Sequence, residues 1–218
     1  MGDNNNTEIN AWSFLMDTEA EDYFAKIDYA LKNGKHIQQW KEQDWWFRFI
    51  ANNEDSLQMY YRKYFGIKLE YGGEANQKYY YLDFMPESRG NVPSDNRHFL
   101  QNEFVIIGFM LYKAVYIDHN IELSSVKAFQ RTLRQDYEEF KAGLFRILAK
   151  AKAVNITQMN EGKMNIMVAN AMKAFEKLGW VELQEDSFEI LPSFQRLPKI
   201  YSDYIDNIEE WLKTESAL

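Results

Sequence analysis

The chain of 218 residues contains no cysteine, which excludes both a disulfide framework and a thiolate metal site. It also lacks a long apolar run, since the longest, Phe104 to Leu111, is far shorter than the roughly 20 residues of a membrane helix. The first residues, MGDNNNTEIN, have neither the basic nor the apolar region of a signal peptide. We therefore expect a protein of the reducing cytoplasm without membrane contact.

Motifs of catalysis are also missing. The three histidines, His36, His98 and His119, stand in no metal-ligand spacing. The Gly-Lys pairs at Gly34 and Gly162 are not followed by Ser or Thr, so neither is a Walker A phosphate loop. No Gly-x-Ser-x-Gly nucleophile elbow occurs. These absences predict no catalytic residue, no metal and no cofactor, and hence a protein that is not an enzyme.

Positive charge is scarce, whereas aromatic residues are abundant. The formal net charge is -8, which argues against nucleic acid as the main ligand. Aromatic residues make up 16% of the chain, and such side chains dominate both cores and protein interfaces. The surplus indicates either an aromatic core or a surface that is covered by a partner, and both interpretations stay open here.

Each half of the chain shows the same order of elements. In both, apolar residues recur at helical spacing in several segments, and two short alternating runs separated by a polar turn then predict a β-hairpin. Helices followed by a hairpin are typical of a winged-helix domain. We predict an α+β, predominantly helical chain with two tandem winged-helix domains. The expected segments are a flexible N-terminus (1–18), a first domain (19–85), a linker (86–98), a second domain (99–192) and a C-terminal helix (193–218).

A lysine-bearing face is expected on the helix before the second hairpin, which is the helix that enters DNA grooves in winged-helix proteins. Its polar residues follow a spacing of seven, three and four, which places them on one side. Sequence-independent phosphate contact is one interpretation of this face, and a solvated helix surface is the other. The candidate DNA-contact residues are Lys150, Lys152, Lys163, Asn170, Lys173 and Lys177.

Two aromatic clusters near the hairpins are candidate partner-binding sites. Tyr79 and Tyr81 alternate with their neighbours along a predicted strand, so only one set of side chains can cover the helices of its own domain. Large aromatic area on the other face is typical of interface anchors. Phe194, Leu197 and Tyr201 form a second cluster at helical spacing. The alternative is that the C-terminal helix folds back and buries this second cluster.

Several short motifs follow one another along the chain: ALKNGKHI from Ala30, Tyr60-Tyr61-x-x-Tyr64, Tyr80-Tyr81-Leu82, KLGWV from Lys177 and FEILPSFQR from Phe188. In order and spacing they resemble the MukE and MksE family of kleisin-interacting, tandem winged-helix subunits. The similarity extends from about Ala25 to Tyr204.

The resemblance implies a role and a set of partners. Such subunits are non-catalytic homodimers that bind a kleisin (MukF- or MksF-like), and through it an SMC ATPase (MukB- or MksB-like). The complex entraps DNA for chromosome condensation and segregation, or excludes plasmids, on the cytoplasmic nucleoid. Lys163 and Lys177 match basic positions of the family's DNA face, but Ala169 and Glu176 stand where relatives can carry Arg. We therefore expect weak, non-specific DNA binding. A winged-helix transcription regulator is the alternative function.

Overall fold

Residues 9–84, 91 and 100–217 are described by a computed structural model, with Phe84 described by its backbone alone. The chain divides into two compact units, Met1–Phe99 and Leu100–Leu218. The described residues are mostly helical with small antiparallel sheets, in agreement with the expected α+β class. The expected linker, 86–98, lies outside the described residues except for Asn91, whose backbone N–H donates to the Phe65 carbonyl at 2.7 Å.

Unit 1 combines three helices with a three-stranded antiparallel sheet of order β1–β3–β2. The elements are α1 (Ala20–Lys32), β1 (Ile37–Gln38), α2 (Gln43–Asn52), α3 (Glu54–Phe65), β2 (Ile67–Gly72) and β3 (Tyr79–Phe84). Helix α3 ends at Gly66, whose left-handed φ of 63° is unstrained in a residue without Cβ. The chain then enters β2 directly, and β2 pairs with β3 from Ile67 opposite Phe84 to Gly72 opposite Tyr79.

The N-terminal segment forms part of the core of unit 1. We expected residues 1–18 to be flexible; residues 1–8 lie outside the described part, but Ser13–Met16 form a 3-10 helix. Phe14 is completely buried, because its ring packs 4.5 Å from that of Phe24 and 5.3 Å from that of Tyr60. Its backbone N–H donates to the Ser56 hydroxyl at 3.0 Å. The expectation of flexibility was therefore wrong for this part of the segment.

Unit 2 combines its helices with a small two-stranded antiparallel sheet. The elements are α4 (Asn102–Tyr112), α5 (Val126–Arg131), α6 (Lys141–Ala151), α7 (Glu161–Leu178), β4 (Val181–Gln184), β5 (Ser187–Ile190), α8 (Arg196–Ile200), α9 (Ser202–Asp206) and α10 (Ile208–Ser216). Helix α4 continues as a π-helical turn over Lys113–Ile117, and α5 does so over Thr132–Asp136. Helix α7 ends at Gly179, again left-handed with φ 75°.

The C-terminal region differs from the single helix expected over 193–218. It forms three short helices, because Tyr201 (φ −127°) and Asn207 (φ −113°) leave the helical conformation. Ile205, Ile208 and Leu212 lie on the two sides of the second bend, and each is buried in the core of unit 2. Most of the residues between them are exposed, so this region buries only one side against the core.

Candidate interaction surfaces

The sheet of unit 1 covers most of the tyrosine surface predicted to bind a partner. Tyr79 and its neighbour Tyr80 are both buried, although they point to opposite faces of β3. The Tyr79 ring lies against Gly72, where an added Cβ would come within 2.4 Å of it, and 5.8 Å from the His36 ring. The expectation of an outer, wet Tyr79 is therefore wrong. Tyr81 is half-buried and keeps part of its surface.

The predicted cluster past the second hairpin is also mostly internal. Phe194 and Leu197 are completely buried. The Phe194 ring packs between those of Phe175 and Trp180, at 6.2 and 5.9 Å. The prediction that these two residues are exposed interface anchors is therefore wrong. The alternative, in which the C-terminal region folds back and buries this cluster, describes them. Tyr201 is half-buried, with its ring 5.4 Å from that of Phe109.

An aromatic surface that sequence reasoning missed lies beside Tyr201. We name it the aromatic ridge, and it consists of Tyr112, Tyr116, Tyr201 and Tyr204. Tyr112 and Tyr116 stack at 4.8 Å, and Tyr204 stacks on Phe109 at 6.1 Å. Tyr204 is 54% exposed. The spacing of Phe109, Tyr112 and Tyr116 places them on one side of a helix, and this could have predicted the surface from the sequence. The prediction was missed because the residues around them are also apolar, so no exposed side could be distinguished.

The lysine face of α7 is where the sequence placed it. Lys163, Asn170, Lys173 and Lys177 are all exposed, opposite a buried stripe. The stripe consists of Met164, Met167, Val168, Ala171, Met172, Phe175 and Leu178. The helix begins at Asn160, whose side-chain oxygen accepts the Lys163 backbone N–H at 2.9 Å. The face therefore offers three cationic groups and one amide to solvent.

The two lysines before α7 have different positions. The Lys150 ammonium contacts both carboxylate oxygens of Glu215, at 2.6 and 2.8 Å, and so is turned toward α10. Lys152 instead lies near the first half of α7, with its ammonium 4.0 Å from Glu103. The structure thus brings Lys152 together with Lys163 and leaves Lys150 apart.

A cleft of about 230 Å³ lies between these two lysines, and we name it the basic cleft. Five of its lining residues are apolar, and we call them the floor: Phe104, Val154, Met159, Ile166 and Met167. The other four are polar, and we call them the rim: Gln101, Lys152, Lys163 and Asn170. Ile166 is 63% exposed although it stands on the same helix as the lysine face. The site therefore combines positive charge with wet apolar area.

A buried ion cluster fixes the π-helical turn after α4. The Lys113 side chain is 2% exposed, and its ammonium donates to Asp118 at 2.8 Å and to Glu209 of α10 at 2.7 Å. Burial opposes its charged form, but these hydrogen bonds outweigh burial and raise the pKa of Lys113. Burial and a hydrogen bond to Asp118 raise the pKa of the Tyr137 hydroxyl. Since every member has a partner within the cluster, we interpret it as structural.

Within the described residues, no group of three histidine, aspartate, glutamate or cysteine side chains could hold a metal ion. In the same part of the chain, no helix has both the length and the apolar character that crossing a membrane requires.

Comparison with known proteins identifies a family. A family model described as "Condensin complex protein MksE" matches residues 22–200, which include most of unit 1 and the lysine face, basic cleft and second hairpin of unit 2. A search of curated proteins found no match.

Proposed function

Because the chain belongs to the MksE family of condensin complex proteins, we propose that it is a non-catalytic subunit of a MukBEF- or Mks-type SMC condensin. In this role it binds a kleisin and, through the kleisin, an SMC ATPase on the cytoplasmic nucleoid. The single observation that carries the proposal is the family match over residues 22–200. We expect no ATPase or nuclease turnover from the isolated chain. Turnover that is lost on a point mutation in this chain would contradict the proposal.

Tandem winged-helix domains are part of the proposal, over 19–85 and 99–192. The element order of both units supports it. In each unit a helix ends at a left-handed glycine, Gly66 or Gly179, and leads directly into an antiparallel hairpin. Such a helix and hairpin are the parts with which winged-helix domains contact other molecules.

We place kleisin binding on the aromatic ridge of unit 2 and on Tyr81 of unit 1. Aromatic side chains with partly exposed rings are frequent binding hot spots. Tyr204 is 54% exposed and Ile200, four residues before it in the chain, is 50% exposed, so large apolar side chains in this region stay accessible to a partner. Tyr79, Phe194 and Leu197 support these surfaces from within the core.

Co-purification with the cognate kleisin tests this surface. Replacing Tyr201 and Tyr204 together by Ser should weaken the complex about tenfold or more, as expected for a hot spot. Tyr29→Ser in unit 1 is the matched control, since Tyr29 is 70% exposed and far from the ridge in sequence. Equal recovery of both variants would exclude the ridge as the binding site. Failure of the unaltered protein to bind its kleisin would contradict the condensin role itself.

Homodimer formation is also proposed, and the N-terminal segment supports it. Leu15 is 51% exposed, Trp12 49% and Met16 86%, an apolar group at one place on unit 1. Light scattering of the purified protein should give a dimer or larger assembly. A monomer at micromolar concentration would contradict this part of the proposal.

We propose DNA contact through the lysine face. Three lysines give weak, non-specific and salt-dependent binding, since each phosphate contact releases condensed counterions. Changing Lys163, Lys173 and Lys177 together to Glu should weaken binding evenly across sequences. The charge-matched control changes the exposed Lys26, Lys63 and Lys68 of unit 1 to Glu. Tight, salt-resistant binding to one short duplex would indicate a transcription regulator instead.

A further inference from the structure

The basic cleft contains exposed apolar area that contact with phosphate groups alone would not cover. Two apolar residues that line it keep exposed surface: Ile166 is 63% exposed and Phe104 is half-buried. Phosphate oxygens and sugars are polar, so a DNA backbone resting on the lysines would leave this apolar area wet or poorly covered. Covering it is favourable for a ligand that carries its own apolar group, since the gain scales with the apolar area removed from water.

The rim of the cleft selects for negative charge. Lys152 and Lys163 stand on it, with the amides of Gln101 and Asn170. Glu103 offsets part of the Lys152 charge, because its carboxylate is only 8% exposed and lies 4.0 Å from that ammonium. The Lys152 side chain is nevertheless 47% exposed and Lys163 is exposed, so both ammonium groups can approach carboxylates of a ligand.

The size of the cleft restricts what enters it. A volume of about 230 Å³ is below the roughly 300–1,000 Å³ typical of small-molecule pockets. It suits a single large side chain rather than a whole cofactor. The floor is aliphatic and sulfur-containing except for Phe104, so it lacks the paired aromatic platforms on which nucleic-acid bases stack.

We propose that the basic cleft is a docking site for an acidic peptide segment that carries one large apolar side chain. The apolar side chain packs on Ile166, Met159 and Met167, while flanking carboxylates pair with Lys152 and Lys163. This site goes beyond the DNA contact proposed above, although the two share Lys163. Charge complementarity and the apolar floor are the two properties that select a peptide as the occupant.

A double-mutant cycle on the full chain tests the site. The probes are two labelled acidic dodecapeptides of Asp, Glu, Ser and Gly, one with a central Phe and one with Ser in its place. Methyl NMR of Ile and Met residues detects weak binding. The Phe peptide should shift the methyl signals of Ile166, Met159 and Met167. Ile166→Ser should weaken the Phe peptide about fivefold and the Ser peptide hardly at all, because only the first contact buries apolar area.

Matched controls separate this site from other surfaces. Ile121→Ser alters an 83% exposed isoleucine elsewhere in unit 2, and Lys127→Met removes an exposed lysine outside the cleft. Both should leave Phe-peptide affinity within about twofold, whereas Lys163→Met should weaken it by about fivefold, as for a partly exposed ion pair. Absence of binding, or equal effects of Ile166→Ser on the two peptides, would overturn the proposal. Neither outcome depends on whether the chain binds DNA or a kleisin.

Discussion

Helices α3 and α7 end alike, at a left-handed glycine before a hairpin, but present different surfaces. Glu54, the first residue of α3, is held inside unit 1, where its carboxylate accepts from the Tyr80 hydroxyl at 2.6 Å and the Lys78 ammonium at 2.9 Å. The polar side of α7 instead faces solvent with Lys163, Lys173 and Lys177. The same element order therefore places a carboxylate that anchors the hairpin at the start of α3 and a row of exposed lysines along α7.

The cores of both units contain aromatic rings. The largest fully buried residues include Phe14, Phe49 and Tyr61 in unit 1 and three phenylalanines, Phe129, Phe175 and Phe194, in unit 2. The units differ more in the buried stripe of α7, which is largely methionine and aliphatic, and in the buried cation Lys113, which is held by carboxylates. The aromatic surplus of the sequence therefore serves as core in both units, and large exposed aromatic side chains also occur in both: Trp12, Tyr29, Trp45 and Tyr71 in unit 1, and Tyr116 and Tyr204 in unit 2.

The largest effect is expected at the aromatic core of unit 1. Phe14→Ala should lower the free energy of unfolding by about 4 kcal/mol, as for other buried Phe→Ala changes. Leu15→Ala, at a side chain that is 51% exposed, is the control and should cost less than about 1 kcal/mol. Urea denaturation measures both, and hydrogen exchange locates the loss. Equal small losses would mean that the N-terminal segment contributes nothing to unit 1.

A second prediction concerns the contact between α6 and α10 in unit 2. A Cβ on Gly143 would lie 2.0 Å from the Leu212 carbonyl oxygen, so Gly143→Ala forces the two helices apart. We expect a loss of about 2–3 kcal/mol, the upper range for overpacking. Gly162→Ala is the matched control, because its nearest neighbour is Asn160 at 3.4 Å and alanine favours helix. If both variants are equally stable, close backbone packing does not hold α10 in place.

The ion cluster of unit 2 gives a third, smaller effect. Lys113→Met should cost about 2 kcal/mol, less than a fully buried pair, because Asp118 and Glu209 are 33% and 49% exposed and can be hydrated. The control is Lys213→Met, whose lysine is 59% exposed and lies 3.8 Å from the same Glu209; its cost should be below about 0.5 kcal/mol. If the Lys113→Met protein is as stable as the wild type, the buried charge of Lys113 does not stabilise unit 2.

Local patterns in the sequence predicted the elements, because their signals are local. The exposed side of α7 follows from the spacing of its polar residues, and the two antiparallel hairpins follow from alternating runs around a polar turn; both are observed. Burial of Tyr79 was not predictable in this way. It depends on Gly72 and His36 lying across the sheet from it, which is a tertiary arrangement.

The candidate surfaces show the same limit. Sequence spacing identified Lys163 and Lys152 as separate candidates, but only the fold places them on opposite sides of an apolar floor. Phe194 and Leu197 have the spacing of an exposed helical stripe, yet α4 passes so close at Gly108 that an added Cβ would lie 3.1 Å from Leu197. The spacing of residues in the sequence predicts which side chains share one side of a helix. Whether that side is buried, and by which element, depends on distant parts of the chain.

The smallest predicted effect is the pH dependence of the link between α10 and the π-helical turn. The hydrogen bond from Lys113 lowers the pKa of Glu209 below its ordinary 4.5. A carboxyl with a lowered folded-state pKa stabilises the fold above its unfolded pKa, and this contribution is lost as pH falls through the folded value. Because the Glu209 side chain is 49% exposed, solvent screening limits the contribution to about 0.5 kcal/mol.

Comparison of the wild type with Glu209→Gln isolates the contribution of the Glu209 carboxylate to stability. The stability difference between them should be present at pH 7 and smaller at pH 3, since it is lost as the pH falls through the lowered folded-state pKa of Glu209. Glu210→Gln, at the neighbouring exposed carboxyl, is the matched control for the general effect of removing one negative charge. Urea denaturation of the three proteins at both pH values measures the difference. A gap between wild type and Glu209→Gln that is unchanged from pH 7 to pH 3 would show that amide and carboxylate are equivalent there, and that the charge on Lys113 does not hold α10.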